Sequence, residues 1–361
     1  MASVAATEGE LEADRLPGAP HPRERAVLFG HQEAEAAFLE AYRSGRLHHA
    51  WLLGGAEGIG KATFAYRVAR FLLAHPDPAA LEVRQAQDLS VPANHPVAHK
   101  VAALSHPDLT VLRRAPGTEK KGPSSIIPVD AARRALTMFG STAGVDGYRI
   151  CIVDSAEDLN LSSANALLKV IEEPPPRSLF LIVAHAPGRT LATIRSRCRR
   201  LMLRPLTQPD VVRALRSLGP PWDRAETAVI EHAAALAEGS VRRAVGLLDA
   251  ETIALVERVR AVLERLPEQD LAGLYLLAED LAGRDAEDDF AVVLETIADW
   301  IATTVRGRAG EGASRLAPLV EVWEKSARAA REAQVLNLDR RPLVLAIFGD
   351  LAEAVRRCRA A

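Results

Sequence analysis

The sequence predicts an α/β protein: a three-layer domain built on a parallel sheet, followed by an all-helical remainder. Short apolar runs at 50–53, 109–112, 150–153 and 179–184 alternate with segments of helical periodicity. That is the pattern of strands buried on both faces and joined by right-handed helical crossovers. The first run enters a glycine-rich loop at 54–61, after which Phe64, Val68, Phe71 and Leu72 fall on one helical face. Beyond Pro209 the strand-like runs stop, and Leu, Ala and Val recur at helical spacing to the C-terminus.

Taken in order, residues 1–24 are polar and proline-punctuated without periodicity, and they read as a flexible tail with its end docked on the first domain. From 31 to 45, Ala34, Phe38, Ala41 and Tyr42 share a helical face that Ser44-Gly45 terminates. Residues 75–108 are rich in Pro, His, Asp and Gln and read as an irregular excursion, and 116–123 as a Lys/Gly/Pro loop. Val129, Ala132, Ala135, Leu136 and Phe139 give another helix. A further one over 162–173 is stopped by Pro174-Pro175-Pro176, since proline lacks the amide donor and disfavours a helical residue before it. The breakers Gly219-Pro220-Pro221 and 307–312 divide the helical part. The expected boundaries are an α/β domain at 25–207, a small helical domain at 208–250 and a larger one at 251–361. Three domains suit 361 residues, a length at which single cores stop growing.

Composition excludes several classes. With 48% hydrophobic and 25% charged residues the chain is neither disordered nor fibrous. A formal net charge of -2 gives no global basic field, so any contact with nucleic acid must come from a local patch or from partners. Cys151, Cys198 and Cys358 are far apart and form no CxxC pair, which argues against a zinc knuckle or disulfide framework and for a reducing cytoplasm. No signal-peptide pattern and no apolar stretch of membrane-spanning length occur.

The chemistry concentrates in Gly55-Ala56-Glu57-Gly58-Ile59-Gly60-Lys61, which has the spacing of a Walker A phosphate-binding loop between a strand and a helix. Glycines let backbone amides converge on phosphate, the helix N-terminus adds positive potential, and lysine neutralises the outer phosphates. A working loop continues with Ser or Thr to hold magnesium, whereas here Ala62 follows and Thr63 is expected to point elsewhere. Nucleotide binding with poorly held magnesium is the expectation. Asp154 ends an apolar strand at the carboxyl edge of the sheet, where a Walker B aspartate belongs. The next position, usually the glutamate that polarises water, is Ser155, and Glu157 is expected to lie beyond reach.

Residues 154–159 (Asp-Ser-Ala-Glu-Asp-Leu) and 164–175 (Ala-Asn-Ala-Leu-Leu-Lys-Val-Ile-Glu-Glu-Pro-Pro) resemble the signature of bacterial DNA polymerase III clamp-loader subunits, a family of AAA+-type P-loop proteins. Gly30-His31-Gln32, Arg46-Leu47-His48-His49-Ala50, His106-Pro107-Asp108 and Ile194-Arg195-Ser196-Arg197-Cys198 are similar to the same family, over about residues 25–205. The resemblance implies an AAA+-type domain, a helical lid at 208–250 and a helical collar at 251–361 that assembles with other subunits. It implies that Arg197 of the Ser-Arg-Cys motif is an arginine finger acting on a neighbour's ATP site. A solvated or DNA-facing patch of Arg195, Arg197, Arg199 and Arg200 is the bland alternative. Gly239-Ser240-Val241-Arg242 resembles the sensor-2 motif, with Arg242 as a nucleotide contact and Arg243 adjacent.

The departures from the family pattern are informative. Where its motor subunits carry a Walker hydroxyl, a Walker B glutamate, a polar sensor-1 residue and a four-cysteine zinc module, this chain has Ala62, Ser155, Ala184 and a cysteine-free 75–108. The expectation is a largely hydrolysis-deficient subunit that takes ATP or ADP weakly or structurally and contributes Arg197 in trans. Its implied partners are gamma/tau ATPases, delta, the sliding clamp and primed DNA. The rivals are an ATP-hydrolysing gamma/tau-type motor, for which Lys61 and Arg242 speak, and an unrelated P-loop enzyme such as a nucleotide kinase. His75, His95, His99 and His106 lie in the excursion at spacings that fit no tight metal site. Elemental analysis of the purified chain is therefore expected to find no stoichiometric zinc; one zinc per chain would mean that these histidines are ligands.

Overall fold

The computed structural model describes residues 12–360 apart from 13, 17, 117–123, 125, 141–146, 284, 285 and 337. Most of the 116–123 loop and of the start of the N-terminal tail thus lies outside the described residues. The chain divides into two compact units, Met1–Val245 and Gly246–Ala361.

The first unit is organised by a five-stranded sheet of β1 (Ala50–Gly54), β2 (Leu109–Arg113), β3 (Arg149–Asp154), β4 (Ser178–Ala184) and β5 (Arg199–Met202), in the order β2-β3-β4-β1-β5. All four pairings are parallel, with Leu52 opposite Ile182 and Ile152 opposite Leu181. Because side chains alternate along a strand, each central strand feeds two cores. Trp51, Leu53, Ile150, Ile152, Leu181 and Val183 pack on one face with α1 (Gln32–Arg43) and α2 (Lys61–Ala74). Leu52, Cys151, Val153, Phe180 and Ile182 pack on the other with α5 (Val129–Gly140), α6 (Leu161–Glu172) and Ile194 of α7 (Ala192–Arg197). This is the expected three-layer α/β architecture on a parallel sheet. α8 (Gln208–Arg216), α9 (Thr227–Leu236) and α10 (Val241–Gly246) follow, with no strand beyond β5 among the described residues.

Two segments depart from the sequence expectation. Residues 199–202 form an edge strand that the apolar pattern does not reveal, because Arg199-Arg200-Leu201-Met202 is largely exposed and has no apolar run. The 75–108 excursion is not wholly irregular: it holds α3 (Leu81–Gln85) and α4 (Pro96–Ala102), each too short to show a period. Val83, Leu89, Val91 and Val101 anchor it in the first core. Two of the histidines there accept backbone hydrogen bonds. His95 Nδ1 accepts from Val97 N at 3.2 Å, capping the helix that starts at Pro96, and His106 Nδ1 accepts from Asp108 N at 3.2 Å.

The second unit is all-helical: α11 (Ala250–Glu264), α12 (Leu271–Asp280), α13 (Glu287–Gly307), α14 (Ala313–Leu336) and α15 (Arg340–Ala360). Val259, Leu277, Val293, Ile297, Leu319, Phe348 and Leu351 form its core. Asp249 and Asp270 cap α11 and α12, each accepting from first-turn amides. No helix among the described residues is long and apolar enough to cross a membrane.

Leu181 sits on the central strand β4 and is fully buried. Leu181→Ala is expected to destabilise the first unit by about 2–5 kcal/mol, the range for leucine-to-alanine changes in well-packed cores. A lower urea midpoint for that unit, with the helical unit's transition unchanged, is the measurement.

Candidate nucleotide-binding site

Between β1 and α2 the chain must reverse through backbone conformations that side chains resist. Gly58 has φ +76° and Gly60 φ +103°, the left-handed region that glycine enters without penalty. A Cβ at Gly58 would collide with Ser240 and Arg242, so glycine also permits the close approach of the 239–242 segment. That approach is locked by Val241 N donating to Gly58 O at 2.9 Å. From the other side His31 Nε2 lies 2.6 Å from Ile59 O. The N-terminus of α2, capped by Gly60 without a side-chain acceptor, is thereby held open at the carboxyl edge of the sheet, the usual ligand crevice of α/β folds.

A cavity of about 220 Å³ lies there. Gly58, Gly60, Lys61, Ala62, Thr63, Asp154 and Arg242 all line it, so the structure brings together seven of the residues singled out from sequence. Thr63, expected to point elsewhere, therefore also reaches this cavity. Gly55 stands behind the loop, its carbonyl accepting from Lys61 Nζ at 2.8 Å. Lys61 also donates to Ala56 O, so the lysine is folded against its own loop. Arg242 forms an ion pair with Glu57 at 3.4 Å, while Arg243 is buried beside Glu238 and does not line the cavity.

Electrostatics at the sheet edge oppose each other. Burial pushes the Lys61 ammonium down to about 8 against the pull of Asp154 and Glu57. Burial, and next the charge of Asp14, push the Asp154 carboxyl up to about 7, with Lys61 the main opposing influence. Near neutrality Asp154 is therefore divided between acid and carboxylate. Ser155 Oγ donates to Asp158 at 3.1 Å, and Glu157 accepts from Ala186 N at 2.6 Å and does not line the cavity. Neither points a carboxylate where water would be activated. The residues fit a nucleotide's phosphates, through the loop, Lys61 and the α2 N-terminus. They fit magnesium badly, because Ala62 presents a methyl group where the hydroxyl ligand belongs. Among the described residues no group of three or more His, Cys, Asp or Glu is placed to hold a metal ion.

Arg197 lies apart from this cavity. It ends α7, which buried Ile194 anchors, and its side chain is 39% exposed, with Nη2 2.7 Å from Glu172 Oε1 and Nη1 donating to Thr193 O at 3.1 Å. Burial raises the adjacent Cys198 thiol to about 12, which removes it from thiolate chemistry.

Sequence reasoning missed five ionisable cavity residues: Asp14, Arg25, Arg114, Asp158 and His185. His185 immediately follows β4, at the same sheet edge as Asp154, and that position could have marked it. Asp14 and Arg25 come from a segment with no periodicity, which carries no such signal.

Residues 30–207 match the family described as "DNA polymerase III, delta subunit". The chain is 31% identical over 238 residues to the DNA polymerase III subunit delta' of Yersinia pestis, covering 64% of this chain and 65% of the relative. It is 32% identical over 165 residues to the subunit of the same name from Escherichia coli, covering 46% and 45%. It is 26% identical over 232 residues to the DNA polymerase III subunit gamma of Buchnera aphidicola, covering 63% and 58%. Each match spans less than two thirds of the relative's own length.

The raised Asp154 has a stability signature. The folded state keeps a proton that the unfolded chain, near 3.8, gives up. Stability from this group is therefore highest below pH 4 and falls as pH rises toward 7, after which the loss is constant. Asp154→Asn, made in a Lys61→Ala background to remove the lysine's own titration, should raise the melting temperature at pH 8 and have little effect near pH 4. An equal effect at both would show that the carboxyl titrates normally.

Proposed function

We propose that the chain, whose residues 30–207 match the family described as "DNA polymerase III, delta subunit", is the delta-prime subunit of the clamp loader. In this reading it assembles with gamma/tau-type ATPases and delta and loads the sliding clamp onto primed DNA in the cytoplasm. Its own P-loop is hydrolysis-deficient, and Arg197 completes the site of a neighbouring subunit. Residues 208–250 serve as the helical lid and 251–361 as the oligomerising collar.

The observation that carries the reading is a division of labour. Arg197 is half-exposed outside the chain's own cavity, while that cavity has Ala62 and Ser155 where hydrolytic groups would sit. A bound nucleotide would supply the phosphoryl group, and the Lys61 ammonium and loop amides would hold its charge. With a methyl at Ala62 where a hydroxyl ligand belongs, the site would hold magnesium poorly. A guanidinium, by contrast, is always charged and planar, and suits the equatorial oxygens of a transferring phosphoryl group. Glu172 holds Arg197 through an exposed ion pair. Such a pair contributes little stability, so a neighbour's phosphates can displace it.

The second reading, an ATP-hydrolysing gamma/tau-type motor, draws support from Lys61 and Arg242 both lining the cavity. The two readings give opposite rankings of two variants. Arg197→Ala is expected to lower clamp loading by the reconstituted complex steeply, and its DNA- and clamp-stimulated ATP hydrolysis partially, with assembly intact. An arginine finger accelerates its site by about 10³–10⁵, but one site of several is affected. Lys61→Ala should do much less. Loading rates at saturating ATP decide the matter: a damaging Lys61→Ala beside a silent Arg197→Ala would identify a motor.

A further inference from the structure

Three arginines around the end of α7 have three different surroundings. Arg195 is turned back onto the loop before the helix, donating to Gly188 O at 3.1 Å. Arg199, on β5, lies over the Trp51 ring, 4.7 Å from its centroid. Arg197 alone of the three is paired with a carboxylate among the described residues, that of Glu172 at 2.7 Å. The side chains of this pair are 39% and 47% exposed, so water is open to both and burial does not force them together.

Their helices fix where they meet. Glu172 is the last residue of α6, next to buried Ile171 and just before the prolines at 174–176. Ile171 and Ile194 enter the same core, so the ends of α6 and α7 are anchored side by side. Within α7, Arg197 Nη1 donates to Thr193 O at 3.1 Å, which leaves Nη2 committed to Glu172. A carboxylate offers oxygens to a guanidinium much as a phosphoryl group does. A phosphoryl oxygen approaching Nη2 must therefore replace Glu172, and until then part of the arginine's charge is answered within its own chain.

We infer that Glu172 is a positioning residue for Arg197, its carboxylate holding Nη2 in place of a phosphoryl oxygen and competing with the neighbouring subunit's nucleotide for the guanidinium. The inference rests on Arg197 acting in trans, and it adds what sets the availability of that arginine. An exposed ion pair is worth a factor of about two to five and is screened by salt. The competition is accordingly mild, and strongest at low ionic strength.

The test uses the reconstituted loader with four forms of this chain: unaltered, Glu172→Gln, Arg197→Ala and the double variant. Glutamine keeps a carbonyl oxygen for Nη2 and removes the charge, and at this exposed position the melting temperature should not change. At low salt and saturating ATP, clamp loading is expected to be about two- to fivefold faster with Glu172→Gln than with the unaltered chain. The ratio should fall toward one as salt is raised, a dependence that a merely structural role would not produce. In the Arg197→Ala background Glu172→Gln should have no effect, because nothing is left to compete for. If Glu172→Gln loads at the unaltered rate or slower while Arg197→Ala is damaging, the carboxylate does not compete and the inference is wrong, although the role of Arg197 stands. An acceleration that persists in the double variant, or that salt leaves unchanged, overturns it equally. A silent Arg197→Ala instead removes the role in trans and the inference with it, and it is read from a different pair of samples, so the two failures are distinguishable.

Discussion

The structure depends on the double burial of β1. Trp51 and Leu53 enter one core, Ala50 and Leu52 the other, and β4 and β5 close both edges. A strand enclosed on four sides can continue only beyond its carboxyl end. There the chain must turn at once to bring α2 back over the sheet, and the turn is the phosphate loop. Its geometry is then set by elements distant in sequence: His31 holds Ile59 O, and Val241 N holds Gly58 O. A packing constraint in the sheet thus becomes a loop poised for anions.

Charge in the cavity follows from the same burial. A lysine and an aspartate brought out of water at the edges of β1 and β3 each lose part of their ionisation. In an active site magnesium and a nucleotide would restore both charges. Here a methyl stands at Ala62 where a metal's hydroxyl ligand would belong, Glu157 is turned toward Ala186 N, and Asp158, at the cavity wall, is engaged by Ser155 and Arg114. The loop and Lys61 suit negative charge, and no hydroxyl directly follows the lysine. Arg197 lies on a separate helix, outside this cavity, with its side chain partly exposed and paired with Glu172.

What the sequence determined by itself rests on local rules. Apolar runs, glycine spacing and proline stops act over a few residues, so four of the five strands, the phosphate loop, the end of α6 and the position of Asp154 were all legible. So was the absence of a hydroxyl at Ala62 and of a carboxylate at Ser155, since residue identity is a fact of sequence. Tertiary structure decided what depends on pairing at a distance. Arg199-Arg200-Leu201-Met202 becomes a strand only because β1 offers it an open edge. α3 and α4 are short helices pinned by Val83 and Val101. Arg242 rather than Arg243 faces the cavity, because the rotation of α10 against Gly58 selects one of two adjacent arginines. Asp14 enters the cavity through Arg113 and His21, a contact across about a hundred residues for which no local pattern exists. Periodicity reports which face of an element is buried, but the partner on that face is settled only when the chain has closed on itself.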